Sequence, residues 1–488
     1  MEAHEQTKKQ NLTASNNYFD ENEIEFERVT QLFNKRFTLV NNELYSLPKL
    51  NSIFKYPLWS VPELQELKKE LNGVKNCLNN YDLDKWQLHT KLRNSAKNVI
   101  PRLKSNIQPE LLTQAWCKFH EIVSSFPLIP LDYIWRNDNY FKSIHLCEAP
   151  GAFVTSLNHW LQTNVPDMHW DWTAMTLNPY YEGNSVSTMI DDDRFIRHTL
   201  DYWYFGEDNT GNIMTLNNFT GLIKHSVPHK DIFLVTADGS VDCADVPAEQ
   251  ESVLTHLHFC ETLAALHLLA AGGSFLLKIF TMFECNTICL LYLLACCFTN
   301  VSITKPATSK EGNSEVYVVC TNFKRPVNIT SYLEKLKEYY ECDPKTAIFN
   351  ESDIPRYFIE KIINCSNFFK THQCSVIQNN IDTFNNYNYD AFLSMRQIQR
   401  SVADKYIKDY KIRKLGKDEE IIGNAIMSLK PANFNPCKVS MQGSYNERCE
   451  KQHLAYFDRM ESFYKDIEKV EIYLSHNDIK KVSYLFEK

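Results

Sequence analysis

Three observations predict a doubly wound α/β fold built on a mostly parallel sheet. Between about 106 and 325, short apolar or β-branched runs alternate with helical patterns, which argues for βαβ units. The first of these runs ends in the small-residue turn Glu148-Ala-Pro-Gly151 and opens directly into a helical stretch. That arrangement brings backbone amides to a ligand at the carboxyl edge of a sheet. Further on, a helical stretch begins at Pro247 and stops before Gly272-Gly273, the proline-in, glycine-out order of helices.

Residues 1–25 are polar, acidic and without apolar periodicity, a disordered lead-in. Residues 26–105 read as a helical N-terminal region, with a helix over 61–71. The α/β region, 106–325, carries candidate strands at 143–148, 170–177, 231–237, 274–280, 301–305 and 315–321. Helices are expected at 109–123, 151–161, 247–271 and 285–297. From 326 to 488 the chain turns mainly helical and charged, with helices at 332–340, 355–369 and 393–410.

Composition narrows the class. The 488 residues, 44% apolar and 23% charged, exclude a single small module, a collagen-like chain and a wholly disordered one. The longest apolar run, 288–298, is eleven residues against the roughly twenty a membrane-spanning helix needs. The polar start carries no apolar segment of a secretory leader, so an intracellular site is expected. Fifteen scattered cysteines, with no Cys-x-x-Cys among them, read as small core residues, and no metal site is expected. A formal net charge of −8 counts against a nonspecific nucleic-acid binder, though not against a local basic groove.

The chemistry is carried by residues at the predicted carboxyl edge. Gly151 permits close approach of the backbone, and Glu148 adds a carboxylate that would favour a cationic ligand over a phosphate. The run Asp231-Ile-Phe-Leu-Val-Thr-Ala-Asp238 ends in an aspartate. Ser274-Phe-Leu-Leu-Lys278 sets a lysine inside an apolar strand, where a charged head is excluded unless paired. Glu315 opens the last strand, and Lys118 lies on the helix upstream. Singly, each has an ordinary reading: a snorkelling lysine, a turn aspartate, an exposed strand start, a solvated helix face. Jointly they form a cluster of two lysines and two carboxylates.

In order and spacing, Lys118, Asp238, Lys278 and Glu315 resemble the Lys-Asp-Lys-Glu tetrad of the RrmJ/FtsJ-like 2′-O-ribose methyltransferases, with Glu-Ala-Pro-Gly-Ala-Phe as the cofactor motif. Longer strings, among them Gln114-Ala-Trp-Cys-Lys-Phe-His-Glu121, Thr176-Leu-Asn-Pro-Tyr180 and Lys305-Pro-Ala-Thr-Ser-Lys310, resemble the Adrift-type branch that acts on capped mRNA. The likeness is strong over about 80–325. It implies a Rossmann-like S-adenosylmethionine-dependent methyltransferase with a mostly parallel seven-stranded sheet. The implied reaction is methylation of the ribose 2′-hydroxyl of the second transcribed nucleotide of capped mRNA, in nucleus and cytoplasm, with S-adenosyl-L-methionine as methyl donor and no metal. Two other readings stay open: a 2′-O-methyltransferase acting at cap 1 or on another RNA, and a silent RNA- or cap-binding module. Lys278 takes the position the family assigns to the base. Glu148, Pro150 and Gly151 take the methionine end of the cofactor, Trp170 lies beside the second strand, and Asn212 and Ile213 correspond to an adenine-contacting turn.

Three further features have plainer readings. The aromatic residues Trp170, Trp172, Tyr180, Tyr181, Trp203, Tyr204 and Phe205 read first as core, with base stacking as the alternative. Asp191-Asp-Asp193 reads as a solvated acidic turn. Lys405, Lys408, Lys411, Arg413, Lys414 and Lys417 read as a solvated helix face, with contact to RNA phosphates as the alternative.

Overall fold

Four consecutive strands rich in Ile, Val, Phe and Leu, each followed by a helix or turn, build the parallel half of the sheet. In chain order the elements are α1 (25–33), β1 (Arg36–Asn41), β2 (Tyr56–Pro57), α2 (Pro62–Asn76), α3 (Leu83–Arg93), α4 (Val99–Asn106), α5 (Gln114–Ser125) and α6 (Leu131–Trp135). Next come β3 (Tyr140–Leu146), α7 (Ala152–Asn164), β4 (His169–Met175), α8 (Leu216–Ser226), β5 (Ile232–Ala237), α9 (Gln250–Leu268), β6 (Ser274–Ile279) and α10 (Cys285–Cys297). The chain continues through β7 (Phe298–Thr304), β8 (Val316–Phe323), α11 (Ile329–Lys337), β9 (Thr346–Ala347), α12 (Arg356–Phe384) and α13 (Tyr389–Asp409). This computed structural model describes residues 25–423 apart from 137, 185–188, 191, 227–231, 242, 244–246, 342–344, 385 and 387. The expected lead-in before Glu25 and the chain after Gly423, including the separate unit Asn433–Lys488, lie outside the described residues.

The main sheet has seven strands in the order β1-β7-β8-β6-β5-β3-β4. β4, β3, β5 and β6 are mutually parallel, β8 is inserted antiparallel between β6 and β7, and β1 runs antiparallel along β7. Five strands therefore share one direction. From β3 the chain steps outward to β4, then returns to β5 on β3's other side. That reversal opens a crevice at the carboxyl ends of β3 and β5, where ligands bind in open α/β sheets.

All six candidate strands are present. The seventh, β1, lies in the region expected to be helical. Its Arg-Phe-Thr-Leu-Val run buries Leu39 and Val40 and covers the exposed edge of β7, with a bulge between Thr38 and Val40. α10 is buried at every position, as an all-apolar helix must be.

The helical flanks share the core of the sheet. One apolar cluster runs from Leu39 through α9, α10 and β8 to Cys365 on α12. β2 pairs with β9, Trp59 Nε1 donates to the Phe349 carbonyl at 2.9 Å, and α12 lies along α2 with Arg356–Glu63 and Lys370–Glu70 ion pairs. The residues before and after the α/β region thus close on each other around it.

Candidate active site

The turn after β3 is shaped by its backbone. Cys147 has φ 55° and Gly151 φ 113°. A Cβ on Gly151 would stand 2.3 Å from the Phe195 ring, so glycine is required twice over. As the residue preceding α7, Gly151 has no side chain to accept from the first helical amides. Glu148 does so instead: its Oε1 accepts from Phe153 N at 2.8 Å and Val154 N at 3.0 Å. Expected to face a cationic ligand, Glu148 is turned inward and only 3% exposed. Burial pushes its carboxyl up to about 8, with the Asp238 charge adding to the shift and the two amides opposing it. Pro150 is half-buried beside Gly151.

The turn holding Asn212 and Ile213 reaches the same edge. Gly211, at φ 73°, packs so tightly that a Cβ would meet the Thr176 carbonyl at 1.8 Å, and Asn178 N donates to Thr210 O at 2.9 Å. The turn therefore lies against the carboxyl end of β4. Asn212 Oδ1 already accepts from Met214 N at 3.0 Å, leaving one lone pair for an adenine amino group. Ile213 is buried, and its carbonyl accepts from Tyr340 Oη at 2.7 Å.

Trp170 pairs in register with Phe141 near the amino end of β4, and its indole donates to Ser143 Oγ at 2.8 Å. Five residues separate it from Met175, about 16 Å along a strand. It therefore lies toward the opposite end of the sheet from the crevice.

The tetrad assembles at the carboxyl edge from four different elements. Lys118 on α5 meets Glu315, at the entry to β8, with Nζ–Oε1 2.6 Å. Lys278 on β6 meets Asp238, just past β5, with Nζ–Oδ1 3.2 Å, and also donates to the Asp238 carbonyl at 2.7 Å. The Asp238 side chain, 20% exposed, is the most open of the four, whereas those of Lys118, Glu315 and Lys278 are almost fully buried. Burial pulls the Lys278 ammonium down, but the carboxylates of Asp238 and Glu315, with Glu261 behind them, outweigh it and hold the lysine above its usual value. Burial raises Glu315, yet Lys118 and Lys278 overcome it and hold the carboxyl down at about 2. Lys278 is thus held protonated and Glu315 ionised, each within an ion pair of the tetrad.

Several supporting residues join the site from outside the tetrad and the cofactor turns. Tyr317 Oη donates to Asp238 Oδ1 at 3.0 Å, and Ser309 Oγ to Glu315 Oε1 at 2.7 Å. Lys305, buried at the end of β7, donates to the Glu315 carbonyl at 2.9 Å and to the Asn313 carbonyl and Oδ1 at 2.8 and 2.7 Å. Burial, with the nearby Lys35 charge, brings its amine down to about 7. Glu121, one turn after Lys118, accepts from Ala307 N at 2.8 and 3.0 Å and is pushed by burial up to about 8. With Gln114 Nε2 donating to the Thr308 carbonyl at 2.6 Å, helix α5 thus holds the loop between β7 and β8 at three points. Glu261 accepts from Gly239 N at 3.1 Å and is likewise pushed up to about 8 by burial. A buried charged residue within or beside an apolar run is the signal that Lys305, Glu121 and Glu261 leave in the sequence.

The remaining candidates divide. Trp172 and Trp203 are core, whereas Tyr180 and Tyr181 are exposed. Asp192 pairs with Arg194 at 2.6 Å and Asp193 is buried, so the described part of the acidic run is not a solvated turn. Asp191 lies outside the described residues. Among the described residues no group of His, Cys, Asp and Glu suits a metal ion. In the basic stretch, Lys405 pairs with Asp409 and Arg413 with Glu419, while Lys408, Lys411, Lys414 and Lys417 are exposed.

Residues 111–323 match the FtsJ-like methyltransferase family. The cap-specific mRNA (nucleoside-2′-O-)-methyltransferase 2 of Danio rerio is 40% identical over 436 residues, 88% of this chain and 58% of that protein. Its counterpart in Pongo abelii is 40% identical over 441 residues, 89% of this chain and 57% of that one. The Drosophila melanogaster protein is 37% identical over 446 residues, 89% and 62%. The chain therefore spans about three fifths of the length of these curated relatives.

Proposed function

Residues 111–323 match the FtsJ-like methyltransferase family, and on that premise we propose that the chain methylates the ribose 2′-hydroxyl of the second transcribed nucleotide of capped mRNA. The observation that carries this reading is the convergence of Lys118–Glu315 and Lys278–Asp238 at the crevice where the strand order reverses. Likeness over 88% of the chain to a protein named cap-specific mRNA (nucleoside-2′-O-)-methyltransferase 2 supports capped mRNA as the substrate.

The residues at the crevice fit S-adenosylmethionine, because Asp238 is the most open carboxylate of the tetrad there, and a carboxylate favours a cationic sulfonium. Gly151, Pro150 and the Asn212–Ile213 turn would hold its two ends. When bound, it supplies the electrophilic methyl group. A ribose hydroxyl is a poor nucleophile and needs its proton removed as the methyl is held in line. Lys278 Nζ, held against the Asp238 carboxylate, is the atom that accepts that proton. Asp238 and Tyr317 fix its position, and the Lys118 ammonium, anchored by Glu315, orients the hydroxyl. Since Lys278 is held protonated, it must first release its own proton to solvent. The nucleus and cytoplasm are the proposed compartments, which imaging of the tagged protein tests.

The test is methyl transfer from labelled donor to short capped RNAs carrying a 2′-O-methyl at the first, the second or neither nucleotide. Label on the second nucleotide is expected, and absent from RNA already methylated there. Label confined to the first nucleotide, or to uncapped RNA, would overturn the reading.

A further inference from the structure

Five cations gather on one face beside the loop between β7 and β8. Arg28 comes from α1, Lys91 and Arg93 from the last turn of α3, Lys97 from the α3–α4 connection and Arg396 from α13. Packing brings them together: Gln399 Nε2 on α13 donates to the carbonyls of Leu92 at 2.8 Å and Asn94 at 3.0 Å, and Gln397 and Ser401 bond Glu25 on α1.

Among the described residues, no carboxylate stands within ion-pairing distance of the cluster. Burial lowers the Lys97 amine, and the charges of Arg396 and Lys91 push it further the same way. Arg93 is lowered by burial and by Arg28, with Glu311 alone opposing, and its Nε is buried without a hydrogen-bond partner. Nearby Arg102, Lys405 and Arg413 each have a carboxylate within ion-pairing distance. None of the five forms an ion pair among the described residues, although the chain as a whole carries a formal −8. Like charges held together at a cost, on an acidic protein, mark a surface for a polyanion.

Position identifies the polyanion. Ser95, between Arg93 and Lys97, donates its amide to Glu311 Oε1 at 3.0 Å. Glu311 is four residues before Glu315 of the tetrad, at most about 14 Å of extended chain. A nucleic-acid strand whose ribose lies at the tetrad therefore runs within reach of this face. We infer that the face formed by Arg28, Lys91, Arg93, Lys97 and Arg396 binds the phosphates of single-stranded RNA leading to or from the nucleotide that is methylated. This rests on the reading of RNA as acceptor and adds a binding surface outside the matched family region.

The experiment measures affinity of a 20-nucleotide single-stranded RNA, capped and uncapped, over a range of salt for the full chain and for Lys91→Glu/Lys97→Glu/Arg396→Glu. Affinity is expected to fall at least about tenfold at 0.1 M salt. The slope of log affinity against log salt should shrink by about two, at roughly 0.7 for each phosphate that is no longer neutralised. Affinity for S-adenosylhomocysteine should not change, which reports an intact fold. A control, Lys49→Glu/Lys55→Glu/Lys345→Glu around the small β2–β9 sheet, should bind RNA as the parent does. Unchanged RNA affinity in the first variant, an equal loss in the control, or loss only of binding to phosphatidylserine-containing vesicles would each overturn the inference. If the parent binds RNA through this face yet transfers no methyl to capped RNA, the proposed activity falls while the surface stands.

Discussion

The two walls of the crevice are held by different forces. On the acceptor wall, Lys118, Glu315, Lys278 and Asp238 are held in opposite-charge pairs at 2.6 and 3.2 Å, and the neighbouring charges favour the charged forms of Lys278 and Glu315. On the donor wall, the 148–151 and 210–213 turns are fixed by backbone geometry, by amides donating to Glu148, and by glycines at positive φ. There the buried carboxyl is pushed toward neutrality. The acceptor wall should thus be sensitive to charge and indifferent to small changes of shape, and the donor wall the reverse.

The sharpest test of that contrast is Lys278. Lys278→Ala is expected to lower the single-turnover methyl-transfer rate by about 10²- to 10⁴-fold, the range of general-base catalysis, with S-adenosylhomocysteine affinity retained. Because Asp238 and Glu315 hold the ammonium above its usual value, the parent rate should climb about tenfold per pH unit through neutrality. Asp238→Asn removes one of those carboxylates and should carry the rising limb toward acid. A rate independent of pH between 6 and 8 in single turnover would remove Lys278 from the role of base.

Lys305 asks whether the acceptor wall extends beyond the four. It touches no reacting atom, yet its amine gathers Asn313 and the Glu315 carbonyl, making it a positioning residue for Glu315. Lys305→Met should lower kcat about 10- to 100-fold, the scale of a misplaced catalytic group. The cofactor KM should be unaffected, and any pH dependence near 7 that tracks the Lys305 amine should disappear. Equal losses in thermal stability and in affinity for both ligands would instead mark a purely structural lysine.

The donor wall should answer to shape. Gly151→Ala places a Cβ 2.3 Å from the Phe195 ring in a left-handed backbone. Strain and overpacking of this kind cost about 1–3 kcal/mol, so unfolding free energy should fall by that amount and S-adenosylhomocysteine affinity by about tenfold. Phe195→Leu in the same chain should restore part of the loss. No recovery would mean that φ alone, and not the ring, requires glycine.

This division also explains what the sequence disclosed. Strands β3 to β8 were legible as apolar runs alternating with helical patterns, and Lys118, Asp238, Lys278 and Glu315 only jointly, through their resemblance to a known tetrad, since each alone has an ordinary reading. The inward turn of Glu148 was not, since the lack of a capping side chain at Gly151 matters only once α7 is known to begin at Ala152. The position of Trp170 toward the amino end of β4 was not legible either, because nearness to a strand in sequence does not say which end of the sheet a residue occupies. β1 escaped notice because six residues flanked by helix and polar loop show little periodicity until β7 offers an edge. Lys305, Glu121 and Tyr317 sit close in sequence to recognisable motifs, but their partners come from other elements, and only the fold pairs them.

Glu148 gives the smallest effect and the finest discrimination between the walls. Its carboxyl lies near 8 in the folded chain against 4.5 ordinarily. Between those values the folded state holds a proton that the unfolded state has lost, so this group's contribution to stability falls as pH rises from about 4.5 to 8. Glu148→Gln keeps an acceptor for the Phe153 and Val154 amides and removes the titration. It should flatten the decline of stability across that window and stay within about 1 kcal/mol of the parent at neutral pH, whereas Glu148→Ala, which leaves the two amides unmet, should cost about 1–2 kcal/mol. The decisive measurement is the ratio of affinities for the cationic donor S-adenosylmethionine and its neutral product S-adenosylhomocysteine. A carboxyl engaged with the helix leaves that ratio unchanged on substitution by glutamine. A carboxylate facing the sulfonium would lose donor affinity selectively, and a selective loss of tenfold or more would make the donor wall electrostatic after all, erasing its difference from the acceptor wall.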